Sequence, residues 1–118
     1  MRTPTTILTV LLLTLATASA SAHAFLDHAS PLVGSTVATA PHEVSLSFTQ
    51  KLEPAFSSVR VTDESGVRVD RGEAQVSGNT IRVELKPLRP GTYRVRWHAL
   101  SVDTHSSEGS FSFTVAGE

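Results

Sequence analysis

Strict alternation of apolar and polar residues is the feature that most constrains this chain. It runs through "EVSLSF" (43–48), "SVRV" (58–61), "TIRVEL" (80–85), "YRVRW" (93–97) and "SFSFTV" (110–115). A period of two places successive side chains on opposite faces of a strand, whereas an amphipathic helix repeats its apolar residues every three or four positions. Helix signals are absent after residue 22. The sequence therefore predicts an all-β domain of half-buried strands.

Turn-forming residues separate these runs. The turns are "SPLVG" (30–34), "TAPHE" (39–43), "DESG" (63–66), "VSGN" (76–79), "KPLRPG" (86–91) and the polar "SVDTHSSEG" (101–109). Strands joined by short turns are expected to pair antiparallel. About seven strands in roughly 100 residues predict a small immunoglobulin-like Greek-key β-sandwich rather than a barrel wide enough to hold a ligand.

The alternation also assigns side chains to the two faces. The predicted core consists of Phe48, Val61, Ile81, Val83, Tyr93, Val95, Trp97, Phe111 and Phe113. The side chains expected to face water are those of Arg60, Arg82, Arg94 and Arg96. Trp97 is thus interpreted as core filling rather than as a binding platform.

The first 24 residues have the pattern of an export signal. Arg2 supplies a positive start, the apolar run "ILTVLLLTLATA" follows, and "ASASAHAF" (18–25) contains three overlapping A-x-A sites. Cleavage at these sites would leave Ser21, His23 or Phe25 as the first residue. Because the apolar run is shorter than the roughly 20 residues that span a bilayer, we expect no membrane span in the exported protein.

Composition and charge exclude several classes of function. The sequence contains no cysteine. Without Arg2, one of the 10 basic residues, 9 remain against 11 acidic ones, so the net charge is −2 with the signs interspersed. This balance does not favour a nucleic acid or an anionic membrane as partner. There is no glycine-rich phosphate loop and no GxSxG elbow, so no catalytic residue and no organic cofactor is predicted, and we expect a monomer that is not an enzyme.

Histidine and carboxylate carry the remaining chemistry. His42 lies in a polar turn and His98 on the strand face opposite Trp97, so both are expected to be solvated. Asp103 and His105 are two residues apart, and in an extended segment their side chains project to the same side. On its own, a D-x-H segment is a weak signal.

Cleavage after Ala22 would change the weight of that segment. His23 would then carry a free α-amine, with an ordinary pKa of about 7.7–8.0, beside its own imidazole. The two nitrogens can chelate one metal through Nδ1. With the imidazole of His105, and with Asp103 or water, they would give the tetragonal nitrogen-rich site that Cu(II) prefers. His28 has the opposite strand parity from His23 and is a weaker candidate.

The oxidation state follows from composition. Cu(I) sites usually contain soft sulfur ligands. The only methionine is Met1, within the export signal, and there is no cysteine. The sequence therefore predicts Cu(II) rather than a thioether Cu(I) site.

The segments "HAFLDHASPLVGSTVATAPHEVSLSF", "SSVRVTDESG" and "LRPGTYRVRWHALSVDTHSSEGSFSFTV" together resemble the CopC family of exported copper-binding proteins. The resemblance favours cleavage after Ala22, with residues 1–22 as signal peptide and 23–118 as the copper-binding domain. It implies that the exported protein is periplasmic or secreted. It implies that His23 meets the D-x-H segment at one end of the sandwich, where His23, His105 and Asp103 hold one Cu(II) per chain. The family reading is a copper carrier or buffer in homeostasis and resistance, with possible delivery to a CopD-like membrane protein.

Two departures from the family pattern bear on the site. Methionine-rich members have a separate Cu(I) site, which this chain lacks. Many relatives have a glutamate just after the "LxF" strand, where this sequence has Thr49 and Gln50, with Glu53 later. A contribution of Gln50 or Glu53 to the metal site is left open.

Two alternatives from other classes remain. A copper monooxygenase of the lytic polysaccharide type also uses an N-terminal histidine and a second histidine. This chain is short, and with one Trp and one Tyr it has few aromatic residues for a flat sugar-binding face. A metal-free immunoglobulin-like interaction module is the other alternative, and it predicts weak copper binding that does not depend on His23 or His105.

Overall fold

A computed structural model describes residues 25–117. In it, eight strands form two four-stranded sheets. The strands are β1 (Leu26–Ser30), β2 (Thr36–Val37), β3 (Glu43–Phe48), β4 (Ser58–Thr62), β5 (Gln75–Ser77), β6 (Thr80–Glu84), β7 (Gly91–Leu100) and β8 (Ser106–Val115). The first sheet has the order β1-β3-β6-β5 and the second the order β2-β8-β7-β4. The predicted signal peptide 1–22 and His23 lie outside the described residues.

The predicted all-β sandwich is confirmed, with two differences in detail. There are eight strands rather than about seven, because the two-residue β2 joins the second sheet. β2 pairs with β8 in parallel, through Thr36 with Thr114 and Val37 with Val115. This pair is an addition to the antiparallel pairing predicted for strands joined by short turns, which β5–β6 and β7–β8 show. Here the chain crosses from the first sheet to the second instead of turning back beside β1, and such a crossing permits a parallel neighbour.

The predicted core is confirmed in full. All nine predicted residues are among the buried hydrophobic residues that fill the space between the sheets. The four arginines assigned to the outer faces are exposed. This agreement follows from the pleat, because side chains two residues apart on a strand share one face.

Trp97 joins the two sheets through an aromatic contact. Its ring meets that of Phe48 edge to face, with centroids 5.1 Å apart and an interplanar angle of 70°, an arrangement that aromatic quadrupoles favour. Trp97 is 1% exposed. Its indole lies over Gly109, where an added Cβ would come within 2.7 Å of Cζ2. Only glycine therefore fits opposite Trp97 on β8.

The segment expected to be a turn at 101–109 is shorter in the structure. β8 already begins at Ser106, and Ser106 pairs with Leu100 while Gly109 pairs with Trp97. Only 101–105 connects the strands. The extra pairing occurs because β7 is ten residues long and supplies ladder partners for the whole polar start of β8. The polar sequence concealed this strand because its residues lack an alternating apolar pattern.

Helical structure is limited in the described residues. A 3₁₀ turn at Pro54–Phe56 follows β3. None of the helices within 25–117 has the length and apolar character needed to cross a membrane.

Asp70 is the buried charge of the sandwich. Its side chain is fully buried and forms an ion pair with Arg68, with Nη2 and Oδ1 2.7 Å apart. Its carboxylate also accepts hydrogen bonds from the backbone nitrogens of Val61, at 2.8 Å, and Gly72, at 3.0 Å. Burial by itself raises the pKa of Asp70, but these hydrogen bonds and the Arg68 charge outweigh it and hold the pKa below its ordinary value. The carboxylate thus clamps the segment after β4 onto the sheet.

We expect Asp70→Asn to lower the free energy of unfolding by about 2–3 kcal/mol at pH 7, since an amide loses charge-assisted hydrogen bonds at a buried site. Because the folded-state pKa is lowered, this stabilisation is present above the unfolded pKa of about 3.9 and is lost as pH falls below it. Urea unfolding of both proteins between pH 7 and pH 3 measures the difference. The exposed Glu73→Gln serves as control, and an Asp70→Asn difference that does not shrink in acid would contradict the assignment.

Candidate metal centre

The loop 101–105 joins β7 to β8 and forms a tight turn. The backbone nitrogen of Ser101 donates to the carbonyl of His105 at 2.9 Å, and that of Thr104 donates to the carbonyl of Ser101 at 2.9 Å. Thr104 has a φ of 72°, in the left-handed region that non-glycine residues seldom adopt. The turn closes the end of the β7–β8 hairpin and presents Asp103 and His105 at its tip.

Asp103 and His105 lie together, as their spacing predicts. His105 Nδ1 is 3.2 Å from Asp103 Oδ2. The reason differs from the expected one, because the segment is a turn and not extended, and the left-handed Thr104 brings the two side chains to one side. The His105 side chain is 78% exposed. With Nδ1 directed at the carboxylate, Nε2 is the ring nitrogen left for a ligand from solvent.

Ser101 supports this pair from below. It is fully buried, and its Oγ donates a short hydrogen bond to Asp103 Oδ1. The same Oγ accepts from the backbone nitrogen of His105 at 3.2 Å. One hydroxyl therefore fixes both the carboxylate and the backbone of the histidine. Ser101 was not among the residues predicted from the sequence, although a signal was present. It shares the inward parity of Trp97 and Ala99, so a polar residue at that position needs a buried partner.

The surroundings of Asp103 favour its ionised form. The hydrogen bond from Ser101 is the main cause, and the backbone nitrogen and side chain of His105 act in the same direction, so the pKa of Asp103 lies below its ordinary value. The carboxylate is consequently charged throughout the neutral and mildly acidic range. A fixed negative charge beside an exposed imidazole is an arrangement that orients the ring toward a metal.

Gln50, in the loop after β3, reaches the same carboxylate. In the amide orientation that its surroundings require, Nε2 donates to Asp103 Oδ2 at 2.7 Å. The two loops are also joined through the backbone, since the nitrogen of Val102 donates to the carbonyl of Lys51 at 2.9 Å. Gln50 therefore occupies a position beside Asp103 with an amide rather than a carboxylate.

Glu53 has a different role. Its backbone nitrogen donates to the carbonyl of Leu100 at 2.8 Å, which fastens the end of the loop to β7. Within 25–117, no hydrogen bond or ion pair joins the Glu53 side chain to Asp103 or His105. Of the two candidates left open after the "LxF" strand, only Gln50 contacts Asp103.

The described chain enters next to this loop. Phe25, two residues after His23, accepts at its carbonyl from the Thr49 nitrogen at 3.0 Å, and its ring lies 5.6 Å from that of Phe48. Thr49 directly precedes Gln50. The first described residue is thus held at the end of the sandwich that carries Asp103 and His105. His23 itself lies outside the described residues.

The other histidines lie elsewhere. His42 and His98 are exposed, as predicted, and His98 Nδ1 is 3.2 Å from the carbonyl oxygen of Phe56. His28 is exposed on β1, opposite Ser47. Across residues 25–117, no three side chains of His, Cys, Asp or Glu are grouped closely enough to hold a metal. The described part of the centre therefore supplies one pair, Asp103 and His105.

Fold and site together define a small two-sheet sandwich protein with an Asp-x-His turn beside its N-terminal strand. The CopC domain family model matches residues 26–116, and the chain belongs to the CopC family, which confirms the resemblance seen in the sequence. The chain is 33% identical over 112 residues to Protein YobA of Escherichia coli (strain K12), covering 92% of this chain and 90% of that protein. It is 38% identical over 110 residues to Copper resistance protein C of Xanthomonas campestris pv. juglandis, covering 86% of each.

A solved structure shares the fold. The crystal structure of CopC from Methylosinus trichosporium OB3b matches with a TM-score of 0.68 and 36% identity, over 78% of this chain and 92% of that one. The alignment thus takes in nearly all of that protein's domain.

We expect Ser101→Ala to raise the pKa of Asp103 toward its ordinary value, because the hydroxyl is the main group that stabilises the carboxylate. Carbon-detected NMR titration of the Asp103 carboxyl in the metal-free protein measures the midpoint. Ser110→Ala, on the exposed face of β8, serves as control and should leave the midpoint unchanged. An Asp103 midpoint that stays low in Ser101→Ala would contradict the supporting role of Ser101.

Proposed function

We propose that this protein binds one Cu(II) per chain, as a carrier or buffer in copper homeostasis and resistance. The proposal rests above all on the Asp103–His105 turn, whose exposed imidazole stands beside the strand through which the N-terminal segment enters. Family membership supports it, since one relative is named a copper resistance protein. The residues proposed to hold the metal are His23, His105 and Asp103.

The proposed donor set is rich in nitrogen. After cleavage behind Ala22, His23 offers its α-amine and its imidazole, and His105 offers Nε2. Asp103 accepts from Nδ1 of His105 and orients the ring, so we assign it as the partner that positions the imidazole and as a weak axial ligand at most. Three nitrogen donors suit the tetragonal geometry of Cu(II), and the chain after Met1 has no sulfur with which to favour Cu(I).

Location and partners complete the proposal. Residues 1–22 act as a signal peptide, 23–118 form the copper-binding domain, and the protein works as a monomer in a periplasm or outside the cell. A CopD-like membrane protein is the proposed recipient of copper. An exposed imidazole on a fixed carboxylate suits a site that releases its metal to such a recipient, and we propose no catalytic activity.

Cu(II) binding should be weakened by each of three changes: His105→Ala, His23→Ala and one extra residue before His23. The expected loss exceeds the roughly 10–100-fold that follows from removing a residue that only orients a metal ligand. Each change removes a nitrogen donor or the chelate ring. Competition titration against a chelator, followed by electron paramagnetic resonance, measures affinity and donor set. His42→Ala, at an exposed histidine, serves as control.

Binding in the wild type should fade as pH falls from neutral, because protons compete for imidazole and amine nitrogens. A Cu(II) affinity that does not change with pH, or that is unchanged in His23→Ala and His105→Ala, would contradict this ligand set. Either result would favour the metal-free interaction module. Oxygen consumption with ascorbate and a polysaccharide would instead indicate the monooxygenase alternative.

Gln50→Glu should raise Cu(II) affinity about tenfold, since it adds a negative charge beside Asp103, one of the proposed metal ligands. In the metal-free protein the new carboxylate lies against Asp103 and repels it. This repulsion makes the copper affinity depend more steeply on pH. The same competition titration measures both effects. Gln75→Glu, exposed on β5, adds an equal charge elsewhere, and an equal gain from it would show that only net charge matters.

A further inference from the structure

Three arginines lie side by side on the outer face of the second sheet. Arg60 is on β4, and Arg94 and Arg96 are on β7. Arg60 is the direct cross-strand partner of Arg96, and Arg94 is the partner of Thr62. All three side chains are exposed and line one shallow depression. We call this group the arginine face.

The arginine face is unfavourable for folding. Like charges directly opposite each other on neighbouring strands destabilise a sheet. Within 25–117, no ion pair or hydrogen bond involves any of these three guanidinium groups. The described ion pairs are those of Arg68 with Asp70 and His105 with Asp103. Three of the chain's 10 basic residues thus gather on one face of a protein whose net charge is −1.

Two acidic residues at the edge of the depression are engaged elsewhere. Asp63 Oδ1 accepts from the backbone nitrogens of Ser65, at 2.9 Å, and Val67, at 3.0 Å. Glu64 Oε1 accepts from the nitrogen of Thr92 at 2.9 Å. Asp63 stabilises its own turn and Glu64 ties that turn to β7, so both carboxylates lower the positive potential at the rim without pairing with the arginines.

The chemistry of the surroundings indicates what kind of partner fits. Besides the three guanidinium groups, the depression is lined by the hydroxyls of Thr62, Thr92 and Ser112. Planar guanidinium groups bind carboxylates through paired hydrogen bonds. The exposed large apolar residues within 25–117 all lie outside β4 and β7, at Leu32, Val33, Phe56, Val67 and Val102. A surface that inserts into a membrane combines such apolar residues with its basic ones, so these positions do not favour a lipid partner.

We propose that the arginine face is a docking surface for an acidic, extended segment of a partner protein. Guanidinium groups on two neighbouring strands match carboxylates that alternate along an extended chain. The surface includes none of the proposed copper ligands, so the proposal stands or falls independently of the copper site.

The test uses the protein purified after export, with a short synthetic peptide in which Glu alternates with Ser as the probe. Arg60→Gln/Arg94→Gln/Arg96→Gln removes the arginine face. Arg82→Gln/Lys86→Gln/Arg89→Gln removes the same charge from exposed positions elsewhere. We expect the first variant to lose at least tenfold in peptide affinity and the control to lose less than about threefold, with wild-type binding weakened by salt.

A second measurement shows that the first variant is folded. Its thermal midpoint should equal or exceed that of the wild type, because the substitution removes repulsion between Arg60 and Arg96. Equal losses in the two variants would overturn the proposal in favour of diffuse attraction. Absence of peptide binding, or binding only to phosphatidylglycerol vesicles, would overturn it as well, the latter in favour of a lipid surface. A lowered midpoint would show that the arginines serve the fold.

Discussion

The contact between Trp97 and Phe48 is the interaction on which the rest of this structure depends. It joins β3 to β7, an inner strand of each sheet, with ring centroids 5.1 Å apart. Both residues lie on strands that lead to the same end of the sandwich. Phe48 is followed by Thr49 and Gln50, and β7 continues from Trp97 to Leu100, directly before Ser101. The aromatic packing, together with the buried Leu52 in the loop after β3, therefore fixes the separation of the two loops. Gly109 permits the contact by leaving room for the indole.

The candidate centre combines a fixed carboxylate with an exposed imidazole. Asp103 is held by Ser101, by Gln50 and by the backbone of its own turn, whereas the His105 side chain is 78% exposed. In the proposed carrier, support on one ring nitrogen and solvent access at the other would let a metal arrive and leave without rearrangement of the sandwich. This division of roles is what the proposed carrier function requires. The neutral amide of Gln50 also leaves the centre less negatively charged than a carboxylate at this position would.

Stability and surface chemistry are separated in this sandwich. Asp70 is a buried charge whose hydrogen bonds are satisfied, and it strengthens the fold. Arg60 and Arg96 are exposed charges without described partners, placed where they repel each other. The core between the sheets stabilises the domain, so the outer face of the second sheet is free to carry residues that the fold does not need.

The sequence alone determined the all-β class, the inward residues and the family. Period-two alternation is a property of neighbouring residues, and the D-x-H motif is recognisable from three consecutive positions. The sequence did not reveal the short parallel strand β2 or the early start of β8. Those pairings depend on partners distant in the chain rather than on local pattern. Likewise, the sequence named Asp103 and His105, but only the tertiary structure decided that Gln50 and Ser101 support them and that Glu53 does not. Gln50 and Asp103 lie far apart in the sequence, so the hydrogen bond between them depends on how the two sheets pack.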